Sequence, residues 1–218
     1  MIQISTSILN VKQEDAIQTF YNLETAKTDY FHIDVMDGIF VKQENIELMK
    51  EYATAIKHIS NLPLDVHLMV EKPEDIIEDY LALKPDKVTI HIEAKTNNIE
   101  QTIKYIKEAG AKVGLAISPK TPIKSVINYL PYIHMILVMT VEPGLGGQTL
   151  IKETIKKIEE LNKYREENNI DIDIEADGGI NDNTIKLVRE AGADIAVVGS
   201  YIINAKDYKE KIEELKNK

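Results

Sequence analysis

Short runs rich in β-branched residues alternate along the whole chain with longer stretches whose apolar positions recur at helical spacing. The runs that predict strands are residues 2–9, 30–36, 64–70, 87–93, 112–117, 135–140, 171–177 and 195–199. Between them, residues 14–26, 44–59, 74–83, 98–109 and 151–167 carry the pattern of amphipathic helices. Strict strand-then-helix alternation implies parallel strands joined by crossover helices. Eight strands in 218 residues leave about 27 residues per unit, close to the ~30 of a compact strand–helix–strand unit. The count of eight, with no Gly-x-Gly-x-x-Gly turn after the first strand, favours a closed barrel over an open doubly wound sheet. No Pro-, Gly- or Ser-rich linker interrupts the pattern. Residues 1–218 are therefore expected to form a single-domain (β/α)8 TIM barrel of the α/β class. The lysine-rich stretch 206–218 reads as a solvated last helix.

Composition narrows the chemistry. Hydrophobic residues make up 44% and charged residues 28%, a mix that can bury a sizeable core. There is no cysteine, so any metal must be held by His, Asp or Glu. A net charge of −10 argues against non-specific binding to nucleic acid or to anionic membranes. The opening Met1-Ile2-Gln3-Ile4-Ser5 does not read as a secretory signal, so none is expected, and no apolar run approaches the ~20 residues that span a bilayer. A cytoplasmic protein is expected.

Polar residues interrupt the strands at regular places. In a barrel, alternate side chains face the interior and the surrounding helices. Phe31, Ile33 and Val35 form one apolar set, which turns His32, Asp34 and Met36 inward. The same parity groups Asp65, His67 and Met69 on the third strand, Glu175 and Asp177 on the seventh, and Ser5 and Ser7 on the first. Ionisable groups facing a packed interior are costly unless paired or bound to metal. Here they fall late in their strands, at the C-terminal rim where barrel enzymes keep their active sites. His32, Asp34, His67 and Asp177 make an N2O2 set for one divalent metal ion; Zn, Fe, Mn and Co all accept it. A purely hydrogen-bonded cluster is the alternative. Strands two and seven lie three steps apart, about 135° around an idealised eight-stranded barrel. Asp34 and Asp177 would then approach a substrate from opposite sides, the arrangement needed to remove a proton from one face of a carbon and return it to the other.

Three glycine-bearing segments follow late strands: Gly144-Leu145-Gly146-Gly147, Gly178-Gly179 and Gly199-Ser200. Loops after strands seven and eight are where barrels often bind phosphate through backbone N–H groups and a helix N-terminus. That suits an acidic protein, because backbone dipoles can hold an anion without a lysine clamp.

At these residues the chain resembles the ribulose-phosphate 3-epimerase family. The matching segments are Ser7-Ile8-Leu9, His32-Ile33-Asp34-Val35-Met36-Asp37-Gly38, Asp65-Val66-His67-Leu68-Met69, Met139-Thr140-Val141, Pro143-Gly144, Gly146-Gly147-Gln148, Asp177-Gly178-Gly179 and Gly199-Ser200. The resemblance implies a metal-dependent 3-epimerase that interconverts D-ribulose 5-phosphate and D-xylulose 5-phosphate through an enediolate, in the pentose phosphate pathway. It implies Asp34 as proton acceptor and Asp177 as donor, both also metal ligands with His32 and His67. Ser7 and His67 would touch the sugar, the glycine loops with Leu145 and Ser200 would hold the phosphate end, and Met36, Met69 and Met139 would wall the reacting carbon. The implied partner is a small-molecule sugar phosphate, with a homo-oligomer left open.

The chain departs from the family's usual pattern at Thr6, Lys42-Gln43, Glu142, Leu145 and Ala176. Lys42, Glu142 and Leu145 fall in loops that would border the substrate. A sister epimerase acting on a ketohexose phosphate such as D-allulose 6-phosphate is therefore the nearest alternative. Further off stand a metal-free decarboxylase-type barrel and a non-catalytic sugar-phosphate binder. The former would use a lysine beside its aspartates, and none is expected facing inward near Asp34; the latter would need neither carboxylate. His91 and Glu93 read as support for the ligands, Asp37 as a brace for its loop, and His58 and His134 as structural.

Overall fold

A computed structural model describes residues 1–218. Eight strands, β1 (Gln3–Ser7), β2 (Tyr30–Met36), β3 (Leu64–Met69), β4 (Lys87–His91), β5 (Lys112–Ile117), β6 (Met135–Met139), β7 (Asp173–Asp177) and β8 (Ile195–Val198), close into a barrel in sequence order. Every neighbouring pair, including β1 with β8, is parallel. The fold is the expected (β/α)8 TIM barrel, with strands a residue or more shorter than the sequence pattern at several ends.

Parity along the strands sorts the two faces as expected. Phe31, Ile33, Val35, Val66, Leu68, Ile174 and Ala176 join one apolar cluster of 51 buried residues between strands and helices. The helices that cover it are α1 (Ala16–Thr25), α2 (Ile46–Ile59), α3 (Ile77–Leu81), α4 (Ile99–Glu108), α5 (Ile155–Asn168), α6 (Ile185–Glu190), α7 (Ser200–Ile203) and α8 (Tyr208–Asn217). Local chemistry sets their ends. The Asn98 and Asp207 side chains accept the Gln101 and Glu210 N–H groups to start α4 and α8, and left-handed Asn169 (φ 51°) stops α5. Between β5 and β6 the crossover is two 3-10 turns, Ile123–Ser125 and Ile127–Tyr132, instead of an α-helix. Pro119, Pro122 and Pro131 remove donors and restrict their neighbours there.

The interior holds a second, polar stack beneath the mouth. Asp65 Oδ2 accepts the Ser5 hydroxyl at 2.8 Å and lies 2.9 Å from His32 Nδ1. Lys87 is also inside: its ammonium stands 3.6 Å from Asp65, 3.9 Å from Glu175 and 3.8 Å from the centre of the Tyr30 ring. As an ion, Glu175 would leave both carboxylate oxygens without a hydrogen-bond partner. Burial, then the charge of Asp65, pushes its pKa well up, which favours the neutral acid there. The sequence pattern did not single out an inward lysine. Lys87 sits at the start of β4, below the ligand layer, and faces Asp65 and Glu175.

Candidate active site

Strand register brings the inward residues together. Asp34 pairs across with His67, His32 with Asp65, Ser7 with His32, and Met139 with Asp177. One ligand atom from each of His32, Asp34, His67 and Asp177 falls within 4.8 Å of the others, a group that could hold a metal ion. All four residues expected at the centre therefore meet there.

The two carboxylates differ in their surroundings. Asp34 Oδ2 accepts the Ser7 hydroxyl at 2.7 Å, and Oδ1 lies 3.3 Å from both His32 Nε2 and His67 Nδ1. Burial alone would raise the Asp34 pKa, but the charge of the His32 ring, 3.3 Å from Oδ1, outweighs it. The group is held well below the usual carboxylate range. Asp177 has no donor so close: His67 Nδ1 and His32 Nε2 stand 3.7 and 3.9 Å from Oδ2. Burial, then the charge of Asp34, pushes Asp177 up to about 7. For His32, burial would lower the pKa, yet Asp34 and Asp65 overcome it and hold the ring well above its usual value. Its Nε2 is buried with no hydrogen-bond partner.

Above the cluster opens a cavity of about 350 Å³. Asp34, Asp177, Ser7, Met69 and Met139 border its base, and Gly144, Leu145, Gly146, Gly147, Gly178, Gly179, Gly199 and Ser200 border its rim. His32 and His67 are wholly buried and lie beneath the carboxylates instead of on the cavity wall. Met36 is also off the wall, packed with Met69 and Val41. Glycine is required where the rim turns. Gly179 has φ +66° with the Leu150 backbone where a Cβ would sit, and Gly178 has φ +124° with the Val141 side chain there. Gln148 ties this loop into a ring by donating to the Glu142 and Leu145 carbonyls.

The residues set aside by sequence behave as braces. Asp37 accepts the N–H groups of Ile39, Phe40 and Glu71, and His134 Nδ1 accepts the Val113 N–H. Sequence reasoning missed Asn10, Asn181 and Tyr201 on the cavity wall. Asn10 follows the Ser7-Ile8-Leu9 segment directly, and that adjacency was its only signal.

The profile of the ribulose-phosphate 3 epimerase family matches residues 3–203. The chain is 38% identical over 216 residues to the chloroplastic ribulose-5-phosphate-3-epimerase of Arabidopsis thaliana, covering 99% of this chain and 76% of that one. It is 37% identical over 217 residues to the ribulose-phosphate 3-epimerase of Bacillus subtilis, covering 99% of both. Among solved structures it resembles 3-hexulose-6-phosphate synthase from Salmonella typhimurium (TM-score 0.71, 19% identity, 99% and 97% of the two chains). It also resembles KGPDC from Streptococcus mutans (TM-score 0.72, 12% identity, 100% and 96%). At such identities these two likenesses speak for the fold alone. The sequence relatives and the matched profile go further: the chain belongs to the ribulose-phosphate 3-epimerase family and is an isomerase acting on a sugar phosphate.

Proposed function

We propose that the chain interconverts D-ribulose 5-phosphate and D-xylulose 5-phosphate by inverting carbon 3, with one divalent metal held by His32, Asp34, His67 and Asp177. The observation that carries this reading is the convergence of those four donors within 4.8 Å beneath the mouth cavity. The donor set suits the ion. Leaving a buried polar atom unpartnered costs about 1–3 kcal/mol, and a cation among two imidazoles and two carboxylates would satisfy His32 Nε2. Zn, Fe, Mn and Co all fit that mixture. When bound, the ion supplies Lewis acidity toward the carbonyl beside the inverting carbon and favours the enediolate.

The protein's own groups divide the proton work. Asp34, kept ionised and aimed by the Ser7 hydroxyl, takes the proton from carbon 3. Asp177, across the barrel and free of a fixed hydrogen bond, returns one to the opposite face. In the reverse direction they exchange roles. The glycine rim from Gly144 to Gly147, with Gly178, Gly179, Gly199 and Ser200, offers backbone N–H groups to the phosphate. Met69 and Met139 present apolar, polarisable walls to the reacting carbon.

A chelator-controlled assay over a panel of ketose phosphates tests this. Turnover of D-ribulose 5-phosphate is expected to be fastest, to vanish on chelation and to return with added divalent metal. Preference for D-allulose 6-phosphate would overturn the sugar. Full activity in a chelated sample shown metal-free by elemental analysis would overturn the metal.

A further inference from the structure

Behind His67 runs a hydrogen-bonded chain that the proposed reaction does not use. His67 turns Nδ1 toward Asp34 and Asp177, and its Nε2 lies 2.9 Å from Nε2 of His91. The other nitrogen of His91, Nδ1, lies 3.0 Å from Glu93 Oε2. Glu93 Oε1 is already engaged by the Ser118 N–H at 2.8 Å and by the Thr121 hydroxyl. The Lys157 ammonium pins that loop from its far side through the carbonyls of Ser118, Pro119 and Thr121.

A carboxylate stands at each end of the chain, Glu93 and Asp34, and the shorter contacts at the Glu93 end set the directions. A backbone N–H only donates, so Oε1 accepts; a carboxylate oxygen only accepts, so the proton of a neutral His91 sits on Nδ1. His91 Nε2 is then bare and must receive the Nε2–H of His67. That leaves His67 bare at Nδ1, the atom facing Asp34 and Asp177. The 3.3 Å from Nδ1 to Asp34 Oδ1 is long for a charge-assisted hydrogen bond, ordinarily about 2.7–2.9 Å. That oxygen also has the His32 ring at 3.3 Å as a charged neighbour.

We propose that Glu93 and His91 are positioning residues that preset the tautomer of His67, keeping Nδ1 free of a proton before metal arrives. The proposal rests on the metal reading above. In the opposite tautomer an N–H would point into the space the cation takes. Removing an outer partner of a ligating histidine typically costs about 10–100-fold in metal affinity.

Glu93→Gln reverses the chain without removing it. The amide oxygen must stay on the Ser118 N–H, so the amide nitrogen donates to His91 Nδ1. The proton of His91 moves to Nε2, and that of His67 to Nδ1. The test reads ring-nitrogen chemical shifts of the metal-free full-length protein by long-range 1H–15N correlation, and zinc affinity by chelator competition. Wild type is expected to show Nε2–H at His67 and Nδ1–H at His91. Glu93→Gln is expected to show both reversed, with zinc bound about 10–100-fold more weakly. Thr121→Val, which leaves Oε2 untouched, is expected to keep the wild-type tautomers and an affinity within about threefold of wild type, well short of the outer-partner effect. A wild-type His67 protonated on Nδ1 would overturn the proposal, as would Glu93→Gln with unchanged tautomers and affinity. Should Glu93→Gln fail to fold, the wild-type tautomers decide alone. Wild-type protein with the stated tautomers but no affinity for zinc or any other divalent ion would sink the metal reading and leave the tautomer assignment standing.

Discussion

The β1–β3 side of the site and the β6–β8 side are built by opposite means. On the first, side chains hold side chains in tiers: Ser5 and Lys87 stand behind Asp65, Asp65 behind His32, and His32, His67 and Ser7 around Asp34. On the second, the backbone does the shaping. Gly178 and Gly179 turn away at once after Asp177, Thr140 donates its hydroxyl to the Gly178 carbonyl, and Asp177 is left with no close donor. Burial acts to raise both aspartates, yet only Asp34 has partners enough to reverse it. Tiered side chains fix a charge in place, whereas glycine turns leave a carboxylate free and open room for a ligand.

Substituting the aspartates one at a time gives the largest test of that contrast. Asp177→Asn is expected to abolish epimerisation, a loss of at least the ~10²–10⁴-fold ascribed to a positioned acid or base. It should still exchange the substrate's carbon-3 proton with solvent on the face that Asp34 serves. Asp34→Asn should lose that exchange. Incorporation of deuterium from heavy water, followed by NMR beside a metal assay of each variant, separates the two. Wild-type-like turnover in Asp177→Asn would sink the two-carboxylate scheme.

The next effect belongs to the tiered side. Ser7→Ala removes the 2.7 Å hydrogen bond to Asp34 Oδ2 and leaves Asp177 untouched. A hydrogen bond to a charged group is worth about 1.5–3 kcal/mol, which sets the expected fall in kcat/KM at about 10–100-fold. If steady-state kinetics showed no fall, the ionised state of Asp34 would owe nothing to Ser7.

Much of this contrast was legible in the sequence, and the physics says which part. Strand side chains alternate with period two, so Phe31, Ile33 and Val35 on the helix side place His32 and Asp34 inside with no further information. Closure in sequence order then brings Asp34 opposite His67. What escaped depends on partners from distant segments. Lys87 at a strand start looks like a solvent-facing residue until β3, β7 and Tyr30 surround it. Glu93, read in sequence as support for the ligands and expected inside the fourth strand, lies just past its end at His91, and its anchors in the 118–121 loop were not legible. Met36 has the right parity for the wall, but Val41 and Met69 cover it.

The free carboxylate should also show in the stability of the metal-free protein. A folded-state pKa of about 7 for Asp177 lies above the ordinary aspartate value, so the folded form binds the extra proton between those two values. Stability is therefore greatest at the acid end of that window and falls as pH rises through about 7, by up to ~1.4 kcal/mol per pH unit for one proton. Asp177→Asn cannot ionise and should flatten that slope. At pH 8 the metal-free variant should melt above metal-free wild type, and scanning calorimetry from pH 5 to 8 checks it. A parallel slope in the variant would assign the effect to another group.

The smallest effect is expected where the glycine side meets its neighbour. Lys120, in the loop after β5, pairs with Glu142 of the neighbouring loop at 3.2 Å, but its side chain is 90% exposed and that of Glu142 52%. Exposed pairs of this kind contribute about 0–1 kcal/mol and are screened by salt. The rim loop has its own closure through Gln148, which holds the Glu142 and Leu145 carbonyls whatever Lys120 does. Lys120→Ala should therefore leave kcat/KM within about twofold of wild type, the difference shrinking further in 0.5 M salt. A tenfold or larger loss that persists in high salt would mean that this side of the site, too, is held by its side chains, and the contrast with the tiered side would have to be redrawn.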